Sequence, residues 1–228
     1  MTYFPKFSQR WFEDLGGKDN FNGIKNVIDF NKPLNFLEIG SFEGNAHHHM
    51  YSQLFKNEMS VSTVIDPFGG GTGNSLHADV YALFKNNLRP YLDRITILRG
   101  LSDNILPDLK QKYDIIYVDG DHFASAAYKD GKNSWKNLVK NGIMIFDDYL
   151  WYHSFTKDGI DAIGGEHHPA LGINRFLKEI HGEYRLLGKN DGLKKDCKIL
   201  DLSPEKIKTY QIDEILSTHN YQILIQKI

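Results

Sequence analysis

Asp119 ends the run YDIIYVD, and the pair Asp147-Asp148 ends the run GIMIFDD. If the two runs are neighbouring strands of one sheet, they lie about 4.8 Å apart. All three carboxylates then leave the carboxyl edge, where open α/β sheets bind ligands. No basic residue adjoins them in sequence, so three like charges converge. A hard divalent cation resolves that repulsion, because Mg²⁺ takes oxygen ligands and keeps part of its water shell. The plainer alternative has one Asp capping a helix and another facing solvent. His122 follows in DGDH, placed as a general base near neutral pH, a partner of the acids or a structural histidine. Asp121 accompanies it toward an acceptor cavity, and Trp151, Tyr152 and His153 are placed to line that pocket.

LEIGSFEGN (37–45) stands where a first strand meets a first helix. Gly40 permits a tight turn and Gly44 a close approach of backbone or ligand. A dinucleotide site would want G-x-G-x-x-G. Here Phe42 occupies the second glycine position, and the Glu43 carboxylate near the helix start repels phosphate. Glu38, at the strand end, suits a cationic ligand. Asp66 closes the next strand and is placed to accept from ribose hydroxyls, or simply to end the strand before Pro67. Read as an exposed strand end, Asp66 is expected to matter for ligand binding and not for the fold.

The remaining histidine groups carry less. Consecutive positions on a helix point about 100° apart, so His47, His48 and His49 cannot share one ion. They are expected on a solvated or partly packed helix. Glu166, His167 and His168 fall in a loop within reach of the site.

The elements that must position these residues alternate. NFLEIG (35–40), VSTVID (61–66), RITILRG (94–100), YDIIYVDG (113–120) and GIMIFDDY (142–149) read as buried strands. Between them, 44–57, 76–89, 103–111 and 123–139 are long enough for crossover helices. Continuous apolar runs mark parallel strands covered on both faces, so the pattern predicts a doubly wound α/β sheet. A helix at 170–180 and runs at 183–189 and 221–228 predict a closing antiparallel pair. A helix beginning at Ser203-Pro204 within 201–216 packs on the sheet edge or makes an oligomer contact. Residues 1–33 carry Tyr3, Phe4, Phe7, Trp11, Phe12, Phe21 and Phe30 amid polar residues. They read as an aromatic-rich helical appendage, either packed on the domain or closing as a lid over the acceptor pocket.

Composition bounds the partners. The 228 residues are 41% apolar and 25% charged, which excludes a disordered or collagen-like chain. Lys and Arg number 27 against 29 Asp and Glu, a net charge of −2, so the basic surplus for nucleic-acid or anionic-membrane binding is missing. Cys197 is the single cysteine, which forbids an intrachain disulfide and fits a reducing compartment. The amino terminus lacks the pattern of a secretory signal, and no apolar run approaches the roughly 18 residues that cross a bilayer. A cytoplasmic protein is expected.

The order Glu38-x-Gly40-x-x-x-Gly44, Asp66, then VDGDH resembles the class I S-adenosylmethionine-dependent methyltransferases. It is most similar to the metal-dependent small-molecule O-methyltransferases, a group including catechol, caffeoyl-CoA and macrolide-sugar enzymes. The resemblance spans about residues 34–150. It implies a doubly wound, mostly parallel seven-stranded Rossmann-like methyltransferase sheet with an antiparallel last strand. Residues 34–228 would form the S-adenosylmethionine-binding domain and 1–33 its appendage. Gly40, Ser41 and Gly44 would border the methionine part of the cofactor, with Glu38 near it. Asp66 would hold the ribose and Ser102 would flank the adenine. Asp119, Asp147 and Asp148 would hold Mg²⁺. Asp119, with or without His122, would take a proton from a small hydroxylated acceptor: a sugar, polyol or phenol. Phe42 departs from the glycine-rich form of the turn. The alternatives are a catalytically silent interaction subunit, which intact motifs argue against, and a nicotinamide-dependent oxidoreductase, which Phe42 and Glu43 argue against.

Overall fold

The apolar runs pair side by side because only a sheet satisfies their backbones while helices cover both faces. In the computed structural model, which describes residues 3–69, 79–151, 168–207 and 209–228, they form β1 (Asn35–Ile39), β2 (Val61–Asp66), β3 (Ile95–Arg99), β4 (Tyr113–Val118) and β5 (Leu138–Phe146). With β6 (Tyr184–Leu186) and β7 (Ile223–Lys227) they make one sheet in the order β3-β2-β1-β4-β5-β7-β6. β7 runs antiparallel to both β5 and β6, so six strands point one way and the last the other, as expected. Strand order reverses between β1 and β4. The crevice outside their carboxyl ends is where such sheets take ligands.

The helices are α1 (Trp11–Asp14), α2 (Gly17–Gly23), α3 (Asn45–His49), α4 (Val80–Asn87), α5 (Ser102–Ile105), α6 (Ala124–Trp135), α7 (Pro169–Glu179), α8 (Pro204–Ile207) and α9 (Ile212–Thr218). No described helix is long and apolar enough to cross a membrane. Several differ from the expected spans. The first crossover becomes α3 followed by a wider π-turn over Met50–Leu54. The third shrinks to the single turn of α5 and a 3₁₀ turn, since Pro107 follows at once. β5 starts four residues early because Leu138 pairs with Tyr113 ahead of a register shift, near which Asn141 takes φ of +64°. The stretch 201–216 holds two short helices. Most of the GGGTG tract, Tyr152, His153, Glu166 and His167 lie outside the described residues.

Phe12, Phe21 and Phe30 from the first 33 residues are buried in the main core, whereas Phe4 and Trp11 are exposed. α6 and α7 cross so closely that a Cβ on Gly172 would lie 1.8 Å from the Ala124 carbonyl oxygen. α6 also buries a carboxyl, Asp130, under the turn after β4, where a Cβ on Gly120 would meet its Oδ2 at 3.0 Å. Burial pushes the Asp130 pKa up to about 7, although Ser102 donates a hydrogen bond to it and the charge of nearby Asp103 pushes the same way as burial.

Two outcomes are expected. Gly172→Ala gains about 1 kcal/mol of helix propensity, but the clash is with backbone and no rotamer relieves it. Overpacking of that kind costs about 1–3 kcal/mol or more, so the loss wins. The melting temperature should fall by several degrees, and a value at or above wild type would refute the close crossing. For Asp130, the folded pKa lies above the unfolded one, so the folded state holds the extra proton. Stability is then full at low pH and is lost as pH climbs from about 4 to 7. Asp130→Asn should therefore stabilise the protein at pH 8, by on the order of 2 kcal/mol, and hardly at pH 4. Denaturation at the two pH values checks both sign and window.

Candidate active site

The turn after β1 is built on backbone contact. Gly40 takes φ of +79°, and a Cβ there would lie 2.0 Å from the Asp119 carbonyl oxygen. Only glycine lets the ends of β1 and β4 meet so closely. Phe42 (+50°) and Gly44 (+82°) continue the left-handed turn into α3. Asp66 stabilises it: Oδ2 accepts from the Ser41 and Phe42 amides at 2.7 and 2.9 Å, and Oδ1 from the Phe68 amide at 2.6 Å. Asp66 is thus buried and structural, not an exposed strand end. The expectation that the fold ignores it is corrected, because three amides depend on its carboxylate.

Glu38 is buried too. It accepts from Ser41 Oγ at 2.5 Å and meets His47 Nδ1 at 2.7 Å, while His47 Nε2 meets Ser62 Oγ at 2.7 Å. His47 is fully buried and His49 is buried while His48 is half-buried, so of the two expectations, a solvated or a partly packed helix, the helix is packed. Glu43 turns away from the crevice. Ser8 donates to it from both its amide and its hydroxyl, at 2.6 and 2.7 Å, so its charge is engaged by the amino-terminal segment. Asp121 is exposed, accepts from the Phe123 amide at the start of α6, and lines the same cavity as Asp119, His122 and Asp148. Ser102 opens α5 and donates to Asp130.

At the ends of β4 and β5 the ligand atoms of Asp119, His122 and Asp148 lie within 4.8 Å of one another. His122 Nε2 is 2.9 Å from Asp148 Oδ2 and 4.0 Å from Asp119 Oδ1. The Trp151 ring meets the imidazole at 4.9 Å, edge-on. Asp147 has both oxygens engaged: Tyr117 donates a short hydrogen bond to Oδ2, and the Asp148 amide donates to Oδ1 at 2.8 Å. Asp148 itself has φ of +55°, a conformation non-glycine residues hold only when their surroundings enforce it. Burial, then the charges of Asp147, Asp148 and Glu38, push the Asp119 carboxyl far above the ordinary range. Burial and the Asp148 charge push Asp147 up to about 6. Burial alone would lower His122, but the hydrogen bond and charge of Asp148, helped by Asp147 and Asp121, outweigh it and hold the imidazolium above its usual pKa.

The chain therefore brings Asp119, His122 and Asp148 together, with Asp147 behind them. Sequence reasoning missed the residues that hold these acids. Tyr117 lies two positions before Asp119 on one strand, so strand alternation places both on one face. Tyr221 donates to Asp148 Oδ1 at 2.9 Å from the far end of the chain, and no local pattern announces it.

A family profile for a methyltransferase domain matches residues 37–149, from β1 through the acid pair. An O-methyltransferase of Aspergillus hancockii, hkm8, is 26% identical over 132 residues, covering 56% of this chain and 48% of that protein. A protein of Acanthamoeba polyphaga mimivirus is 27% identical over 139 residues, covering 58% of this chain and 60% of its own length. The chain thus spans less than two thirds of either relative. Among solved structures, an O-methyltransferase from Bacillus cereus in complex with SAH (S-adenosylhomocysteine) superposes with a TM-score of 0.55 at 14% identity, over 98% of this chain and 84% of that one. The O-methyltransferase NovP gives 0.57 at 16% identity, over 93% and 78%. Such identities establish a shared fold. With the profile running from the glycine turn to the two acids, residues 37–149 form a methyltransferase domain similar to that of O-methyltransferases.

Proposed function

We propose that the protein transfers the sulfonium methyl of S-adenosylmethionine to a hydroxyl oxygen of a small molecule, with a divalent cation held by the acids at the ends of β4 and β5. The observation that carries this reading is the cluster of Asp119, His122 and Asp148 beside the glycine turn. Its donors fit such an ion. Two carboxylates converge on one point and neither forms an ion pair with Lys or Arg among the described residues. The oxygen donors suit Mg²⁺, whereas participation of the His122 nitrogen would favour a softer cation. A bound cation supplies Lewis acidity to the acceptor hydroxyl.

For the cofactor, Gly40, Ser41 and Gly44 offer a turn without bulk at its closest approach. Asp66 retains lone pairs for ribose hydroxyls beyond the three amides it accepts. Glu38 acts through Ser41 and His47 rather than on the ligand directly, and Ser102 borders the adenine side together with Asp130. Methyl transfer is an in-line displacement: the C–S bond breaks as the O–C bond forms, so the protein's work is chiefly positioning. The hydroxyl proton goes to Asp119, the cluster carboxylate that directly follows β4. His122 already shares a proton with Asp148, so it orients that carboxylate rather than acting as first base. Trp151 supplies an apolar wall for a sugar, polyol or phenol. Residues 1–33 serve as an appendage to the 34–228 domain, strapped over α3 by Ser8 on Glu43 and by Lys6 on Asn87.

Asp66→Asn keeps one acceptor oxygen but loses the charge. Loss of one charge-assisted hydrogen bond costs roughly 1.5–3 kcal/mol, about 10- to 150-fold in affinity. Calorimetry should show S-adenosylhomocysteine binding weakened by that range, and NAD binding to neither form. An unchanged constant would place the ribose elsewhere, and tight NAD binding by the wild type would overturn the methyltransferase reading.

On an acceptor found by S-adenosylhomocysteine release from a hydroxylated panel, turnover should vanish in EDTA and return with Mg²⁺, while cofactor binding survives. Asp119→Asn should lower turnover about 10²- to 10⁴-fold, the usual effect of a lost general base. Because the Asp119 pKa is raised in the folded state, its ionisation destabilises the fold as pH climbs through that value. The asparagine variant should accordingly melt higher than wild type at pH 8 in EDTA. Activity indifferent to EDTA would exclude the cation from the reaction.

A further inference from the structure

Antiparallel β7 is the one strand of the sheet that begins at the carboxyl edge, where the other strands end. Its register with β5 pairs Phe146 with Ile223 and Ile145 with Leu224. Continued by two residues, that register sets Gln222 opposite Asp147 and Tyr221 opposite Asp148. The side chains meet as the register requires. Tyr221 Oη donates to Asp148 Oδ1 at 2.9 Å, and the Leu150 amide donates to the Tyr221 carbonyl at 3.1 Å.

We infer that Tyr221 is a positioning residue for Asp148, so that the last strand, outside the matched segment 37–149, sets how tightly the acid cluster takes a divalent cation. The inference rests on the reading of Asp119 and Asp148 as cation ligands. Asp148 occupies a left-handed backbone conformation and carries two carboxylate oxygens that rotation would exchange. Tyr221 holds Oδ1, which leaves Oδ2 facing His122 at 2.9 Å and turned toward Asp119. A ligand fixed in advance loses less freedom when it binds, which is why partners of metal ligands govern affinity.

Tyr221 is fixed in its turn. Its neighbours Asn220 and Gln222 are buried, and Asn20 of α2 donates from Nδ2 to both, at 2.8 Å each, while Asn220 donates back to Asn20 at 2.8 Å. Phe21, next along α2, packs edge-on against the Tyr117 ring at 5.1 Å, and Tyr117 holds Asp147. One helix from the first 33 residues thus braces the donors of both acids.

The test titrates the full metal-free chain with Mn²⁺ by calorimetry. Tyr221→Phe removes one hydroxyl and keeps the ring. The Mn²⁺ dissociation constant should rise about 10- to 100-fold, while S-adenosylhomocysteine affinity stays close to wild type. In an Asp148→Asn background, adding Tyr221→Phe should change the constant by less than about twofold, because the carboxylate it orients is gone. If Tyr221→Phe fails to fold, Tyr221→His, whose ring donor stops short of Asp148, should show the same rise. Wild-type protein that binds no Mn²⁺ removes the cation reading and this inference with it. Wild-type binding that Tyr221→Phe leaves within about twofold overturns the inference alone.

Discussion

Negative charge concentrated at one edge of the sheet is the constraint that the rest of the site answers. Glu38, Asp66, Asp119, Asp147 and Asp148 end four neighbouring strands or follow them directly, and Glu38 and Asp66 are buried. Among the described residues, none of the five forms an ion pair with Lys or Arg. Unpaired buried carboxylates cost several kcal/mol each unless donors replace the lost water. Each acid here has such donors: backbone amides for Asp66, Ser41 and His47 for Glu38, Tyr117 for Asp147, and Tyr221 with His122 for Asp148. Asp119 is reached by the Tyr117 hydroxyl and by a histidine at 4.0 Å, and its carboxyl is still pushed far above the ordinary range.

Topology makes these donors available. Parallel strands end at the edge and can supply only their own last residues. A strand entering the other way brings fresh side chains, and β7 delivers Tyr221 and Gln222 opposite the acid pair. The amino-terminal helices then close the back of the same cluster through Asn20 and Phe21. A molecule cut down to the alternating β/α units would keep the acids and lose much of what holds them.

That division explains what the sequence disclosed. Alternating apolar runs and helical segments are local patterns, so the sheet and its antiparallel close were legible, as were the places of Asp119, Asp147-Asp148 and the glycine turn at the strand ends. The partners were not. Asn20 contacts Gln222 across some two hundred positions, and no short-range rule connects them. Asp66 shows the intermediate case: its type and place suggested a ribose acceptor, while its three amide partners depend on left-handed turns at Phe42 and Phe68. Glu43 appeared to face the ligand because it opens a helix. Ser8 claimed it instead, and tertiary contact overrode the local expectation.

The choice of donors bears on the proposed chemistry. Lys or Arg beside these acids would neutralise the edge permanently and would repel both positive species of the proposed reaction, the sulfonium and a divalent cation. Hydroxyls and amides stabilise the carboxylates without cancelling their charge, so the field stays available to attract cations. The cost is repulsion in the metal-free protein, visible in the raised pKa values of Asp119 and Asp147. A cation binding there, as proposed, would relieve repulsion that folding had to overcome, so part of its affinity would be set by how firmly Tyr117, Tyr221 and the helix behind them keep the carboxylates from turning apart.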